Sequence, residues 1–212
     1  MTELYVGTSG WSYPSWRPGF YPQGTKPTDF LRYYAERFRS VELNTTGYRL
    51  PSEEQFSRWA EQTPSGFRYA VKMSAYRRFD AATFEERVRR LGDRLGPIRV
   101  VVGSARDEGL LALVLGSFDP SLLLAFDFRH DSWAGIEREL PEQAVRVGDL
   151  EADAGFRYVR LREPPYDDGT LAEWARRLRP LLEDGIDVYC YFKHEDEPTA
   201  PRYALRLLEL LS

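Results

Sequence analysis

Short apolar runs alternate with amphipathic stretches along the whole chain. Residues 4–9 (LYVGTS) are β-rich and closed by Gly10, which suits a first strand. The period then changes, because Leu31, Tyr34, Ala35 and Phe38 stand at i, i+3, i+4 and i+7, one stripe of a helix. Residues 40–44 (SVELN) predict a second strand, and Ser52-x-x-Gln55 is a capping box opening a helix with Phe56, Trp59 and Ala60 on its inner face. The turn signal Thr63-Pro64-Ser65-Gly66 precedes a third strand over 67–72. Thr83-x-x-Glu86 is read as the cap of a third helix striped by Phe84, Val88, Leu91 and Leu95, with Gly96-Pro97 as its stop. Further strands are predicted over 98–102, 122–128, 144–148, 157–162 and 187–193. Helices are predicted over about 108–115, over 132–139, after a Thr170-x-x-Glu173 cap, and at the end, where Ala204, Leu207, Leu208 and Leu211 align.

Eight strands separated by helices imply parallel pairing with right-handed crossovers. The expected fold is α/β, a compact (β/α)8 TIM-type barrel forming one domain over residues 1–212. Only eight residues separate Gly148 from Arg157, too few for a crossover helix, so the helix between strands six and seven is expected to be shortened or missing. An open doubly wound sheet is the structural alternative. It would carry a Gly-rich phosphate loop after its first strand, and Gly7-Thr8-Ser9-Gly10-Trp11 opens no helix.

Composition narrows the function classes. A net charge of -4 argues against non-specific coating of nucleic acid or membrane, although a local basic patch is compatible with it. The single cysteine, Cys190, excludes an internal disulfide and a Cys-rich zinc site, and no apolar run approaches the length of a membrane span. The N-terminus lacks the pattern of a secretory signal, so a cytoplasmic location is expected. Arginine makes up nearly all of the 29 basic residues, the lysines being Lys26, Lys72 and Lys193.

In a parallel barrel alternate residues point inward, and active sites sit at the C-terminal ends of the strands. Setting Val41, Leu43, Val71, Phe126, Phe128, Val159, Leu161, Val188 and Phe192 against the helices turns another set inward. It comprises Glu42, Asn44, Lys72, Asp127, Arg129, Tyr158, Arg160, Arg162, Tyr189, Tyr191 and Lys193. Cations outnumber acids there, which favours an anionic ligand. The plainer alternative is a network of salt bridges holding the mouth together. Glu42 and Asp127 also admit a glycoside hydrolase, and their use as a single hard-ion site is the weaker alternative. Of the two histidines, His130 between Arg129 and Asp131 is the preferred acid or base over His194. Trp11, Tyr13, Trp16 and Tyr21 beside the mouth are read either as stacking platforms or as a cluster sealing a loop, while Trp133 and Cys190 are read as core.

These residues carry a resemblance. GTSGWSYPSW with FYP, YAERFRSVELNTTGYRLPS, TPSGFRYAVK, FRHDSW, YVRLR and DVYCYF look like the YecE-like proteins, the domain-of-unknown-function 72 family, over nearly the whole chain. The resemblance implies a TIM-type barrel and no assigned reaction; kinship of that fold with barrel endonucleases and sugar isomerases is an analogy only. By position it singles out Thr8, Ser9, Trp11, Glu42, Asn44, Tyr48, Lys72, Arg129, His130, Trp133 and Arg160. The chain departs from the family where Asp127 replaces a usual Glu, Gly47 a usual aromatic, and Val-Val-Gly-Ser-Ala a Gln-Leu-Pro-Pro-like segment.

The expectation is therefore an enzyme, a metal-independent hydrolase, lyase or isomerase without cofactor, acting on a phosphate-bearing substrate. Glu42 is the expected general base, Asn44 its orienting partner, and Asp127 and His130 complete the catalytic candidates. Thr8, Ser9, Trp11, Tyr48, Lys72, Arg129, Arg160, Arg162, Tyr191 and Lys193 are the expected substrate contacts. A small anionic ligand is the expected partner, with nucleic acid not indicated by net charge and no membrane. A non-catalytic module binding nucleic acid or a phosphorylated metabolite is the alternative.

Overall fold

The computed structural model of the chain describes residues 2–47, 49–75 and 80–212. Its strands are β1 (Leu4–Thr8), β2 (Ser40–Leu43), β3 (Arg68–Ala75), β4 (Leu95–Val102), β5 (Leu124–Phe128), β6 (Ala144–Arg146), β7 (Phe156–Leu161) and β8 (Asp187–Phe192). The helices are α1 (Phe30–Ala35), α2 (Glu53–Glu61), α3 (Ala81–Val88), α4 (Glu108–Ser117), α5 (Asp168–Glu183) and α6 (Thr199–Leu211). All pairing is parallel, in two sheets ordered β2-β3-β4-β5-β6 and β1-β8-β7.

Two helix N-termini differ from the sequence reading for a common reason. The caps of α3 and α5 are Asp80 and Asp167, whose carboxylates accept from the backbone N–H of Thr83 and Thr170 at 3.0 and 2.7 Å. Both threonines thus stand at the third helical position, where a short aspartate reaches back better than they do. At α2 Ser52 is the cap as expected, accepting from Gln55 N–H. Leu95 and Gly96-Pro97 do not belong to the end of α3: they open β4, and the β3–β4 register shifts between Tyr69 and Val71 to admit them. The predicted helix over 132–139 is two short 3-10 turns, Asp131–Trp133 and Ile136–Glu139.

No helix intervenes between β6 and β7, as the short spacing required. Arg157 takes over part of its work. Its guanidinium is nearly buried and donates to the carbonyls of Leu150, Ala154 and Phe156 at 2.7–3.0 Å, tying down a segment that lacks a helix of its own.

Strand parity divides the apolar residues as expected. Val41, Leu43, Val71, Phe126, Val159, Leu161, Val188, Cys190 and Phe192 join the large core under the helices, with Phe128 packed on it. Tyr5, Ala70, Ala125, Val145, Phe156, Tyr158, Tyr189 and Tyr191 form a second core on the opposite strand faces. Across the β1–β2 seam, where no ladder forms, Tyr34 of α1 supplies the missing bonds. Its hydroxyl accepts from Thr8 N–H at 2.8 Å and lies 3.1 Å from the carbonyl of Ser40, to which it donates. Ser40 Oγ donates to the Arg68 carbonyl at 2.8 Å, so the contact of 2.5 Å with Tyr191 makes the tyrosine the donor and joins β2 to β8. Among the described residues no helix is long and apolar enough to cross a membrane.

The seam depends on Gly7. A Cβ there would lie 2.1 Å from the Ser40 carbonyl oxygen and 2.8 Å from the Tyr34 hydroxyl. Gly7→Ala is expected to lower the unfolding free energy by about 3 kcal/mol, at the upper end of overpacking costs, as read from urea denaturation. Gly24→Ala, with nothing within 4 Å of the added carbon, is the control and is expected to change it little.

Candidate functional site

Above the second core the inward positions turn from aromatic to charged. Glu42 of β2 is fully buried, and three groups from two strands, β4 and β7, converge on it. Tyr158 Oη donates to Oε2 at 2.7 Å, Arg160 Nε donates to Oε1 at 2.9 Å, and Arg99 Nε lies 2.9 Å from Oε2 as a charge contact. Asp127 of β5 receives three guanidiniums on one oxygen. Arg99 Nη1, Arg162 Nη2 and Arg129 Nη2 stand 2.6, 2.5 and 3.0 Å from Oδ2. Arg99, 2 % exposed, therefore bridges both acids, and its Nη2 donates to Asn44 Oδ1 at 2.7 Å.

Arg99 was not anticipated. Its segment, IRVVV, reads as an apolar strand, yet a lone guanidinium in such a run signals a buried ion pair, and Arg99 stands level with Lys72 on β3. Its partners are the residues parity turned inward. Neither Asp131 nor Asp149 makes an ion pair with these arginines among the described residues.

The electrostatics follow from the count. Four guanidiniums share two carboxylates, which leaves two positive charges on the cluster. Burial pushes the Glu42 carboxyl up, but Arg99, Arg160 and the Tyr158 hydroxyl together outweigh it and hold the pKa down at about 2. A carboxylate so stabilised is a poor proton acceptor near neutrality, so the expected general base is instead a fixed counter-ion. Arg129 is held below the ordinary guanidinium range, first by burial and then by Arg162, Arg99 and Arg160 around it, against the pull of Asp127. Among the described residues three buried polar atoms lack a hydrogen-bond partner: Asn44 Nδ2, Arg162 Nε and Arg99 Nε, the last of which keeps only its charge contact with Glu42.

The remaining expected residues distribute unevenly. Lys72 is half-buried, its carbon chain lying across Gly47, where a Cβ would come within 2.8 Å of Lys72 Cε. The small residue at 47 is what makes room for it. Lys193 is exposed at the end of β8. Tyr191 is fully buried below the charged layer and spends its hydroxyl on Ser40, so it belongs to the core rather than to a ligand surface. Thr8 is likewise buried, with Oγ1 donating to Gly10 O. Trp11 is 9 % exposed and packs edge-on against Trp59. Tyr48 lies outside the described residues.

His130 is displaced from the cluster by its own backbone. It caps the 3-10 turn at Asp131–Trp133, with Nδ1 accepting from Ser132 N–H at 3.2 Å and 2.8 Å from Ser132 Oγ, and the residue is exposed. His194 takes the place expected for it. Its Nδ1 lies 3.2 Å from Ser9 Oγ, which also accepts the His194 N–H at 2.8 Å, and its ring stacks on Tyr13 at 4.6 Å. Burial, then Arg160 and Lys193, holds the imidazole below its ordinary range, which favours its neutral form. The Tyr13 phenol, which donates to Ser9 O at 2.7 Å, is pushed up to about 12 by burial and by Glu42. The aromatic loop around it is mostly a seal, with Trp16 and Tyr21 fully buried and Trp16 Nε1 donating to Glu195 O.

Comparison with known proteins agrees with this architecture. Two solved DUF72 family proteins superpose over almost the full length of both chains. The one from Enterococcus faecalis V583 has a TM-score of 0.80 at 15% identity, covering 100% of this chain and 98% of that one. The one from Thermotoga maritima MSB8 has a TM-score of 0.77 at 22% identity, covering 99% of each. At these identities the likeness shows the fold alone. Among curated proteins, UPF0759 protein YecE of Escherichia coli K12 is 41% identical over 73 residues, 34% of this chain and 24% of that protein. UPF0759 protein YunF of Bacillus subtilis 168 is 25% identical over 173 residues, 80% of this chain and 56% of that protein. The matched stretches thus span about a quarter and just over half of those relatives. The profile of the family described as "Protein of unknown function DUF72" matches residues 5–212, and the chain belongs to that family.

Proposed function

We propose that this protein binds a small anionic ligand, phosphate- or carboxylate-bearing, at the C-terminal ends of its strands, and that the two sheets form the wall of one TIM-type barrel around that site. The barrel reading is supported by the parallel strands, by a Tyr158–Glu42 bond joining the sheets through the interior, and by the Tyr34 and Tyr191 bonds across the β1–β2 seam.

One observation carries the ligand: four guanidiniums share two carboxylates, and Asp127 Oδ2 alone serves three of them. An incoming dianion would relieve the repulsion among Arg129, Arg162 and Arg99 and accept from the unpartnered Arg162 Nε. Lys193 stands at the rim. Glu42 and Asp127 hold the arginines in place, and with Arg99 bonded to both, the gap between them is filled by a guanidinium rather than left open for a sugar ring. The lowered Glu42 pKa also runs opposite to what a glycosidase acid requires.

Catalysis is the second reading, and His194 favours it. A neutral imidazole beside Arg160, anchored through Nδ1 to Ser9, is a proton-transfer group of the kind that hydrolases, lyases and isomerases use.

Phosphate and sulfate, added as sodium salts, are expected to raise the melting temperature saturably, by mass action on the folded state. The double variant Arg129→Ala/Arg162→Ala is expected to lose that response. An equal rise with sodium chloride at matched ionic strength, or a response unchanged in the variant, would sink the reading.

The buried acid makes a separate, pH-dependent prediction. The folded-state pKa of Glu42 lies below the ordinary value of 4.5, at about 2. Its contribution is therefore present above pH 4.5 and lost as pH falls from there towards 2, an effect of about 3 kcal/mol. Glu42→Gln is expected to be less stable than the parent at pH 7 and to show a shallower loss in that acid window, measured by urea denaturation at each pH.

A further inference from the structure

A separate cavity of about 1050 Å³ opens beside the charged mouth, between the segments that follow β1 and β2 and the helix α2. Among the described residues no aspartate or glutamate lines it, whereas Arg49, Arg58 and Arg87 do. Arg87 is committed to the carbonyls of Leu50 and Pro51 at 3.4 and 3.3 Å. Arg58 has only the neutral Gln55 Oε1 at 3.0 Å, and among the described residues Arg49 makes no side-chain hydrogen bond or ion pair. Glu54, on the exposed side of α2, feels Arg58 and Arg87 but stays outside the cavity. The floor is aromatic: Trp11 and Trp59 meet at 88° with centroids 5.4 Å apart and make an indole corner.

These features are not those of the mouth. There each guanidinium leans on a carboxylate; here, among the described residues, Arg49 and Arg58 make no ion pair, and Arg58 feels only the charge of Glu54 one helical turn back. Lining amides from Gln55 and Gln62 can each donate and accept, as a base edge requires. An indole corner receives a flat ring, and planar guanidiniums take phosphate oxygens in pairs. The volume suits a ligand of a few hundred daltons.

We propose that this cavity is a second binding site, beside the mouth and sharing Ser9, Tyr13 and Asn44 with it, for a nucleoside phosphate: the base rests against Trp11 and Trp59 and the phosphate is held by Arg49 and Arg58. Asn44 lies where the two sites adjoin, with Oδ1 on Arg99 and Nδ2 unpartnered, and it lines the cavity.

Calorimetric titration of the full chain with ADP, adenosine and inorganic phosphate tests this. Saturable ADP binding is expected, tighter than adenosine by about tenfold or more, since the charge-assisted bonds are lost with the phosphate. In Arg49→Ala/Arg58→Ala, both exposed positions, ADP is expected to fall to the adenosine level while adenosine is unchanged. In Arg129→Ala/Arg162→Ala the ADP affinity is expected to persist, which separates this site from the anion site at the mouth. No saturable ADP binding up to millimolar concentration, binding indifferent to Arg49 and Arg58, or loss of ADP binding in the mouth variant would each overturn the proposal.

Discussion

Arg99 is the residue on which the interior depends. A guanidinium 2 % exposed would cost several kcal/mol if left without counter-charge, so its strand must be met by Glu42 and Asp127. That requirement sets β2, β4 and β5 in relation to one another above their ladders. Glu42 passes the constraint on, because Tyr158 and Arg160 reach it from β7, in the other sheet. Two sheets that share no ladder are thus joined through two carboxylates, Glu42 to β7 and Asp127 to Arg162 just beyond it, while Tyr34 and Tyr191 fasten the β1–β2 edge.

The same constraint decides what the acids are free to do. Glu42 carries three contacts and a pKa of about 2, so its chemistry is that of a counter-ion. Positive charge in excess of the acids is displaced outward to Arg129, Arg162 and Lys193, which are the more exposed members. The interior is therefore layered, with aromatic rings below, locked acids in the middle and cations at the opening. The environment of His194, unlike that of the carboxylates, favours its neutral form.

Strand parity made most of this legible, since a two-residue period sends alternate side chains to opposite faces whatever the helices do. It placed Glu42, Asp127, Tyr158 and Arg160 together and sent Cys190 to the outer core. What it missed has physical causes. Arg99 was hidden because four apolar neighbours dominate its run. The caps were misread because Asp-x-x-Thr and Thr-x-x-Glu overlap by position, and only backbone geometry shows which side chain folds back. His130 was favoured over His194 because it follows the most conspicuous acid–base stretch, but parity lapses where β5 ends and the ring is taken by a local cap. Arg157, which organises the segment lacking a helix, was indistinguishable in sequence from the surface arginines around it.

A chain of net charge -4 concentrates cations at its strand ends, and for the ligands proposed above the distribution of charge matters more than its total. The two basic regions differ in how much of their charge is already used. At the mouth a ligand must compete with Asp127 for guanidiniums that are pre-positioned by it, which lowers the ordering cost but also the gain. In the neighbouring cavity Arg49 and Arg58 make no ion pair among the described residues, so a phosphate bound there would gain more per contact but would have to order side chains that no acid holds in place. Asn44 couples the two: its Oδ1 is fixed by Arg99, and that bond in turn orients the unpartnered Nδ2. Ser9 and Tyr13, which hold His194, line the cavity as well, so the two regions share one wall.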